Sequence, residues 1–442
     1  MRAYVPTPAG VVDLMVEKLF AGRPPTSGTR LLDPGCGDGA FIDGVLRWCG
    51  RHGHAFPEIV GVELEPGRAA DAEQKYDGIP QITILPHDFL LADLGPFDYI
   101  VGNPPYVAIS EMGDEEKVRY REFFQTAEGR FDLYFLFWEM ALSLLSPTGR
   151  MVFITPEKYL TVRAAQPLRA LLARRHVPEV HLLPENTFPG LTTYPAVTTV
   201  DAAPASAPTH FLNRNNETKE FRFTLDGASL AVSLYADGPV VSGDRTLSEI
   251  AARISCGVAT GADKLFVQPT AEISPLLQDF AHPTISGRQL AALESETVAP
   301  TDSMLVPYGR DGQLMPFEFL HGFGTYLESH KERLLQRTCV KKKPWYAFHE
   351  NPPMPALLQP KILCRDITAI PRFWVDVQGD IVPRHSVYYI VLKDASKLEA
   401  VAAYLNSPEV INWLNAHCQR AANGFLRVQS TALKRLPIPA DL

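Results

Sequence analysis

What most constrains this chain is the alternation of its first 200 residues between short apolar runs and stretches with helical spacing. Val11 to Phe20 has the spacing of a helix, and Thr29 to Leu32, Ile59 to Glu63, Gln81 to Leu85 and Phe97 to Gly102 read as four strands. A buried helix is expected from Phe131 to Leu145, stopping at Ser146-Pro147-Thr148-Gly149, with Arg150 to Ile154 as the next strand. Strands that alternate with helices predict a parallel, doubly wound α/β sheet of the Rossmann-like kind. From about Ala202 the texture changes, with Ala/Pro/Thr-rich and Asn-rich stretches and many prolines. A boundary is placed near Val241 to Thr246, which divides the chain into 1–243 and a mixed α/β part, 244–442.

The first strand runs into Asp33-Pro34-Gly35-Cys36-Gly37-Asp38-Gly39, and a helix follows from Ala40. Ligands of open α/β sheets bind at the carboxyl ends of the strands, where glycine lets the backbone approach closely. A dinucleotide fingerprint would be G-x-G-x-x-G, with a pyrophosphate at the helix N-terminus. Here the spacing is G-x-G-x-G behind an acid, which repels a phosphate and suits the ammonium of a methionyl group. Taken alone, the loop could also be a tight strand-to-helix turn. Two more acids bear on the choice. Glu63 ends the second strand, where a carboxylate can accept ribose hydroxyls. Asp88, followed by Phe89, ends the third; the acid can accept an adenine amino hydrogen while the ring covers the base. Each is ordinary by itself, but acids at three successive strand ends match a nucleoside with an amino-acid arm.

The fourth strand leads into Asn103-Pro104-Pro105-Tyr106. An aromatic amine such as adenine N6 is a poor nucleophile, because its lone pair is delocalised into the ring. Accepting both amine hydrogens favours a more tetrahedral nitrogen, and Asn103 Oδ1 with the Pro104 carbonyl are suitable acceptors. The prolines fix the backbone, so these acceptors need no reorganisation. Tyr106 can stack on an extruded base. A rigid surface turn would explain the motif but not its place at the end of the fourth strand.

At this point the sequence resembles a known family, the amino-group DNA methyltransferases of the gamma arrangement, in particular the TaqI-like and Eco57I-like N6-adenine branch. Tyr4-x-Pro6-Thr7-Pro8 looks like the family's N-terminal segment beside the cofactor. Asp33 to Phe41, Glu63-Leu64, His87 to Leu90 and Asn103 to Tyr106 match the next four motifs in order. The resemblance implies an S-adenosyl-L-methionine-dependent enzyme without a metal. It implies a cofactor site of Thr7, Asp33, Gly35, Cys36, Gly37, Glu63, Leu64, Asp88, Phe89 and Pro105, and catalysis by Asn103, Pro104 and Tyr106. Phe188-Pro189 and the strand Ala196 to Val200 resemble the second base-stacking site, which makes Phe188 the partner of Tyr106 across a flipped adenine. Ser255 to Lys264, Ser286 to Leu290 and the tail from Leu405 to Pro439 are similar to family target-recognition domains. The implied partner is double-stranded DNA, with a separate restriction endonuclease as a further candidate.

Charge adds a little. The formal net charge is −8. Residues 1–330 hold 26 Lys and Arg against 41 Asp and Glu, and residues 331–442 hold 16 against 9. A basic final quarter suggests a face for a polyanion. Lys341-Lys342-Lys343, followed by Pro344-Trp345-Tyr346, is the candidate phosphate contact, although a lysine run is usually a solvated face. Six cysteines are scattered without a C-x-x-C pair, no uncharged apolar stretch reaches about 18 residues, and the N-terminus lacks a signal-peptide core. A cytoplasmic monomer is expected. The rival readings share Asn-Pro-Pro-Tyr: a protein glutamine methyltransferase, typically shorter and with an N-terminal helical domain, and an RNA adenine methyltransferase. Loss of catalysis would leave a DNA-binding module, which an intact Asn103 to Tyr106 argues against.

Overall fold

A computed structural model describes residues 5–191, 193–235, 241, 243–293, 298–421 and 425–442. Tyr4 therefore lies outside the described residues. The chain divides into two compact units, Met1–Leu234 and Tyr235–Leu442.

The first unit is built on a nine-stranded sheet. Its parallel half comprises β1 (Arg30–Pro34), β2 (Glu58–Glu63), β3 (Ile82–Pro86), β4 (Phe97–Gly102) and β5 (Leu145–Pro156). β6 (His176–Leu182), β7 (Pro195–Asp201), β8 (Thr209–Leu212) and β9 (Thr218–Phe221) extend it, giving the order β3-β2-β1-β4-β5-β7-β6-β8-β9. β7 runs antiparallel between β5 and β6. α1 (Ala9–Phe20) precedes β1, and the crossovers include α2 (Ala40–His52), α3 (Pro66–Lys75), α4 (Asp114–Phe123) and α5 (Leu133–Leu144). Nine of the twelve residues of α5 are buried, so that helix is core on nearly every side. From β1 the chain winds outward to β2 and β3, then returns to place β4 on the other side of β1. That reversal opens a crevice between the carboxyl ends of β1 and β4. It brings the Asp33 loop and the Asn103 motif side by side.

Two glycines make the crevice possible. A Cβ on Gly39, which sits at φ +82° ahead of α2, would lie 2.1 Å from the Tyr76 hydroxyl. A Cβ on Gly102 would lie 3.3 Å from Pro34 Cδ and 3.5 Å from Asp33 Oδ1, so a side chain there would separate the ends of β1 and β4. One expectation differs from the structure. Ser146 to Gly149 does not end as a free turn but belongs to β5, where Phe97 faces Leu145 and the register shifts before Tyr99 meets Arg150. Gly149 fits that irregularity, because a Cβ there would meet the Phe97 carbonyl at 3.0 Å.

The second unit contains small antiparallel sheets and short helices. Ala251–Cys256, Val387–Leu392, Lys361–Arg365 and Phe373–Asp376 form the four-stranded sheet in that order. Alternate residues enter two separate hydrophobic clusters. Leu363, Trp374, Val387, Tyr389 and Val391 join one; Ile362, Phe373, Ile390 and Leu392 join the other. The period of two puts neighbouring side chains on opposite faces, and here both faces are covered. Among the described residues no helix is long and apolar enough to cross a membrane.

Candidate active site

A cavity of about 610 Å³ opens at the carboxyl ends of the parallel strands. Thr7, Gly35, Cys36, Glu63, Leu64, Asp88, Phe89, Asn103, Pro104, Pro105 and Tyr106 all line it. Five consecutive chain segments thus meet at one concavity, each delivered by the turn that follows or precedes a strand or helix of the first unit.

Asp33 does not line the cavity. It is fully buried at the end of β1, and neither carboxylate oxygen has a hydrogen-bond partner. Burial holds its proton affinity well above the ordinary carboxylate range, and the nearby Glu63 and Asp38 raise it further. Such a group is costly unless a cation or donor reaches it. Gly37 is also set back from the cavity; its N–H donates to Glu63 Oε2 at 3.0 Å. The Glu63 carboxylate takes two further donors on Oε1, the Glu65 N–H at 2.8 Å and Arg68 Nη2 at 2.9 Å. Asp88 caps a short turn, with Oδ1 accepting the Leu90 N–H at 3.0 Å. Phe89 packs against Phe137 with ring centroids 5.1 Å apart. Burial raises the Cys36 thiol, as do Asp33 and Glu63, so it stays protonated and offers no thiolate.

The Asn103 amide is oriented. Nδ2 donates to Thr7 Oγ1 at 3.1 Å and to the Val5 carbonyl at 3.4 Å. Oδ1 is buried and has no partner. Tyr106 donates its hydroxyl to the Ile154 carbonyl at 3.2 Å, and burial raises that hydroxyl well above its usual range. The ring is therefore anchored at its tip while it lines the cavity. Tyr134 packs edge-on to it, with centroids 6.2 Å apart.

Phe188 is placed differently from the expectation. It is 1% exposed, belongs to the same buried cluster as Leu183 and Val197, and is not among the residues lining the cavity. An aromatic ring gains more from that burial than from waiting in water, so in this conformation neither face is open for stacking. The lysine run lies in the second unit. Lys341 and Lys342 are exposed, whereas Lys343 Nζ donates to the His349 carbonyl at 2.9 Å and Asn351 Oδ1 at 3.0 Å. Tyr346 is buried, with its hydroxyl on the Met315 carbonyl at 3.0 Å, so it belongs to the core and not to a stacking face.

Several lining residues were not anticipated: Arg68, Phe137, Leu191 and Thr193. Arg68 carried a usable signal, since the first turn of a helix that follows a strand-end acid returns to that acid. Phe137 carried none, because α5 is apolar at almost every position. Among the described residues no group of His, Cys, Asp and Glu is arranged to hold a metal ion.

Comparison with known proteins agrees with this architecture. Residues 56–188 match the Eco57I restriction-modification methylase model, and residues 313–438 match the TaqI-like C-terminal specificity domain. The type II methyltransferase M.PaeR7I of Pseudomonas aeruginosa is 29% identical over 80% of this chain and 66% of its own length. M.XhoI of Xanthomonas vasicola is 27% identical over 82% of this chain and 72% of its own. The chain thus spans about two thirds of the length of the first of these relatives. In fold it is similar to the type IIL restriction-modification enzyme MmeI, with a TM-score of 0.61 at 14% identity, covering 97% of this chain and 64% of that one. With a methylase-model match in the first unit and a specificity-domain match in the second, the chain is similar, part by part, to the Eco57I-like and TaqI-like restriction-modification methylases.

Proposed function

We propose that this protein is an S-adenosyl-L-methionine-dependent DNA methyltransferase acting on N6 of an adenine extruded from duplex DNA. The observation that carries the reading is the buried, unpartnered Oδ1 of Asn103, held at the carboxyl end of β4 in a cavity shared with Glu63 and Asp88. A buried acceptor without a donor is expensive, and an incoming amine supplies the donor.

The donor set fits the cofactor. Asp33 offers two unpartnered buried oxygens to an ammonium, Glu63 keeps acceptor capacity for ribose hydroxyls, and Asp88 with Phe89 suits an adenine. Bound S-adenosyl-L-methionine would supply an electrophilic methyl group on a sulfonium. Asn103 Oδ1 and the Pro104 carbonyl accept the two amine hydrogens, which localises the lone pair for attack. Proline rigidity keeps both acceptors in place, so the stabilisation needs no rearrangement as charge develops. Tyr106 offers the stacking surface, and Phe188 would join it only if its ring left the core. Loss of the excess proton from the product ammonium follows transfer and calls for no strong base in the cavity. The second unit is assigned to DNA sequence selection, in line with its specificity-domain match and the exposed Lys341 and Lys342.

The test is transfer of labelled methyl from S-adenosyl-L-methionine to duplex DNA, followed by digestion to nucleosides. N6-methyldeoxyadenosine is expected. N4-methyldeoxycytidine would keep the chemistry and change the base, while label found only on protein or RNA would favour the rival amide or RNA readings. In the same assay Asn103→Ala should lower transfer by about 10²–10³-fold, the usual effect of losing one preorganised catalytic contact. Cofactor affinity should stay within about threefold of the parent, because that contact is to the amine.

A further inference from the structure

The Asn103 amide can work as described only one way round. Turned over, it would present Nδ2 to the target amine, donor against donor. Two groups of the N-terminal segment decide the orientation. The Val5 carbonyl can only accept, so the amide atom facing it is the amino nitrogen. Thr7 Oγ1 takes the other Nδ2 proton at the shorter distance of 3.1 Å. Both contacts join residues nearly 100 positions apart in sequence. They exist because α1 docks on the sheet through Val12, Met15, Val16 and Leu19 and carries its preceding residues over the end of β4. Pro8 restricts Thr7 to an extended backbone, which stiffens that approach.

We propose that Thr7 is a positioning residue for the transfer reaction: its hydroxyl accepts from Asn103 Nδ2 and thereby aims Asn103 Oδ1 at the target amine. The assignment rests on the role given to Asn103 above and replaces a purely cofactor-binding role for Thr7. A hydroxyl has one proton and two lone pairs, and among the described residues no group accepts the Thr7 proton. Thr7 lines the cavity, so that proton is available to an acceptor on the bound cofactor. A hydroxyl that donates becomes a better acceptor, so cofactor binding would tighten its hold on Asn103. Thr7 thus links an occupied cofactor site to a correctly turned amide.

Two substitutions separate the hydroxyl from the shape. Thr7→Val keeps the volume and loses the hydroxyl; Thr7→Ser keeps the hydroxyl and loses a methyl. At saturating S-adenosyl-L-methionine and DNA, kcat of Thr7→Val should fall about 5–30-fold, and Thr7→Ser should recover to within about threefold of the parent. Without either substrate, hydrogen exchange of the Asn103 side-chain amide, followed by nitrogen-15 NMR, should be faster in Thr7→Val than in the parent. Thermal unfolding should match in all three proteins. Thr7→Val with parental kcat and only weaker cofactor affinity would overturn the proposal and return Thr7 to cofactor binding. So would unchanged amide exchange, or a Thr7→Ser variant as impaired as Thr7→Val. A parent enzyme that methylates no DNA would sink the methyltransferase reading instead, and the exchange measurement would still report on Thr7.

Discussion

Each unit buries an aspartate almost completely, and the two are treated in opposite ways. Asp376, in the second unit, is 4% exposed and saturated with partners: Lys361 Nζ, the Gly379 N–H at 2.9 Å and the Ile381 N–H at 3.1 Å. Lys361 is itself fully buried and also donates to the Leu357 carbonyl at 2.7 Å. Asp33, in the first unit, has no partner on either oxygen and has Glu63 and Asp38 as neighbours. A satisfied buried pair closes a turn and specifies the fold around it. An unsatisfied buried acid weakens the protein that carries it, and is tolerated where a ligand completes it. The same contrast holds for amides: Asn406 donates to the Phe373 and Ala402 carbonyls and accepts the Phe373 N–H, whereas Asn103 keeps Oδ1 free.

The comparison can be broken most forcefully at Asp376. Asp376→Ala leaves the Lys361 ammonium buried without its counter-charge, and should cost about 3–5 kcal/mol in denaturant unfolding. Replacing both residues by apolar side chains of similar volume should recover most of that loss. If Asp376→Ala were nearly neutral, the pair would not be the closed structural element described.

Asp33 should give the opposite sign. Asp33→Asn removes a buried ionisable acid, so without cofactor the protein should be more stable than the parent at pH values where Asp33 would be charged. Its affinity for S-adenosyl-L-methionine should fall about 5–150-fold in calorimetry. The pH dependence follows from the raised proton affinity. A carboxyl whose folded value is raised contributes stability below its unfolded range and loses it as pH rises through the folded value. Parental apo-protein stability should therefore decline across that window, while cofactor affinity strengthens and binding releases a proton. Asp33→Asn should flatten both trends. Equal loss of stability and affinity in Asp33→Asn would mean that Asp33 supports the β1 turn and not the ligand.

The smallest effect is expected on the surface of the second unit. Lys341→Ala with Lys342→Ala should weaken binding to every duplex alike and reduce the slope of log affinity against log salt by about 2. Lys343 is left in place because it holds the His349 and Asn351 loop. An unchanged slope would make the run a solvated face.

Much of the architecture was legible because it is local. Apolar strands, glycine turns and amphipathic helices follow one another at short range, so the sheet class and the strand ends carrying Asp33, Glu63 and Asn103 could be read in order. The glycine spacing after β1 was legible for the same reason, since only a left-handed backbone admits that turn. Tertiary structure decided everything that depends on residues distant in sequence. It ran β7 antiparallel between β5 and β6, drew Ser146 to Gly149 into β5, and sank Phe188 into the core. It also set Arg68 on Glu63 and Thr7 on Asn103, and left Asp33 without a partner. Residue types and spacing report what a side chain can do. Which donor reaches which acceptor is fixed only when packing has brought the elements together, because a hydrogen bond extends about 3 Å and the sequence carries no distances.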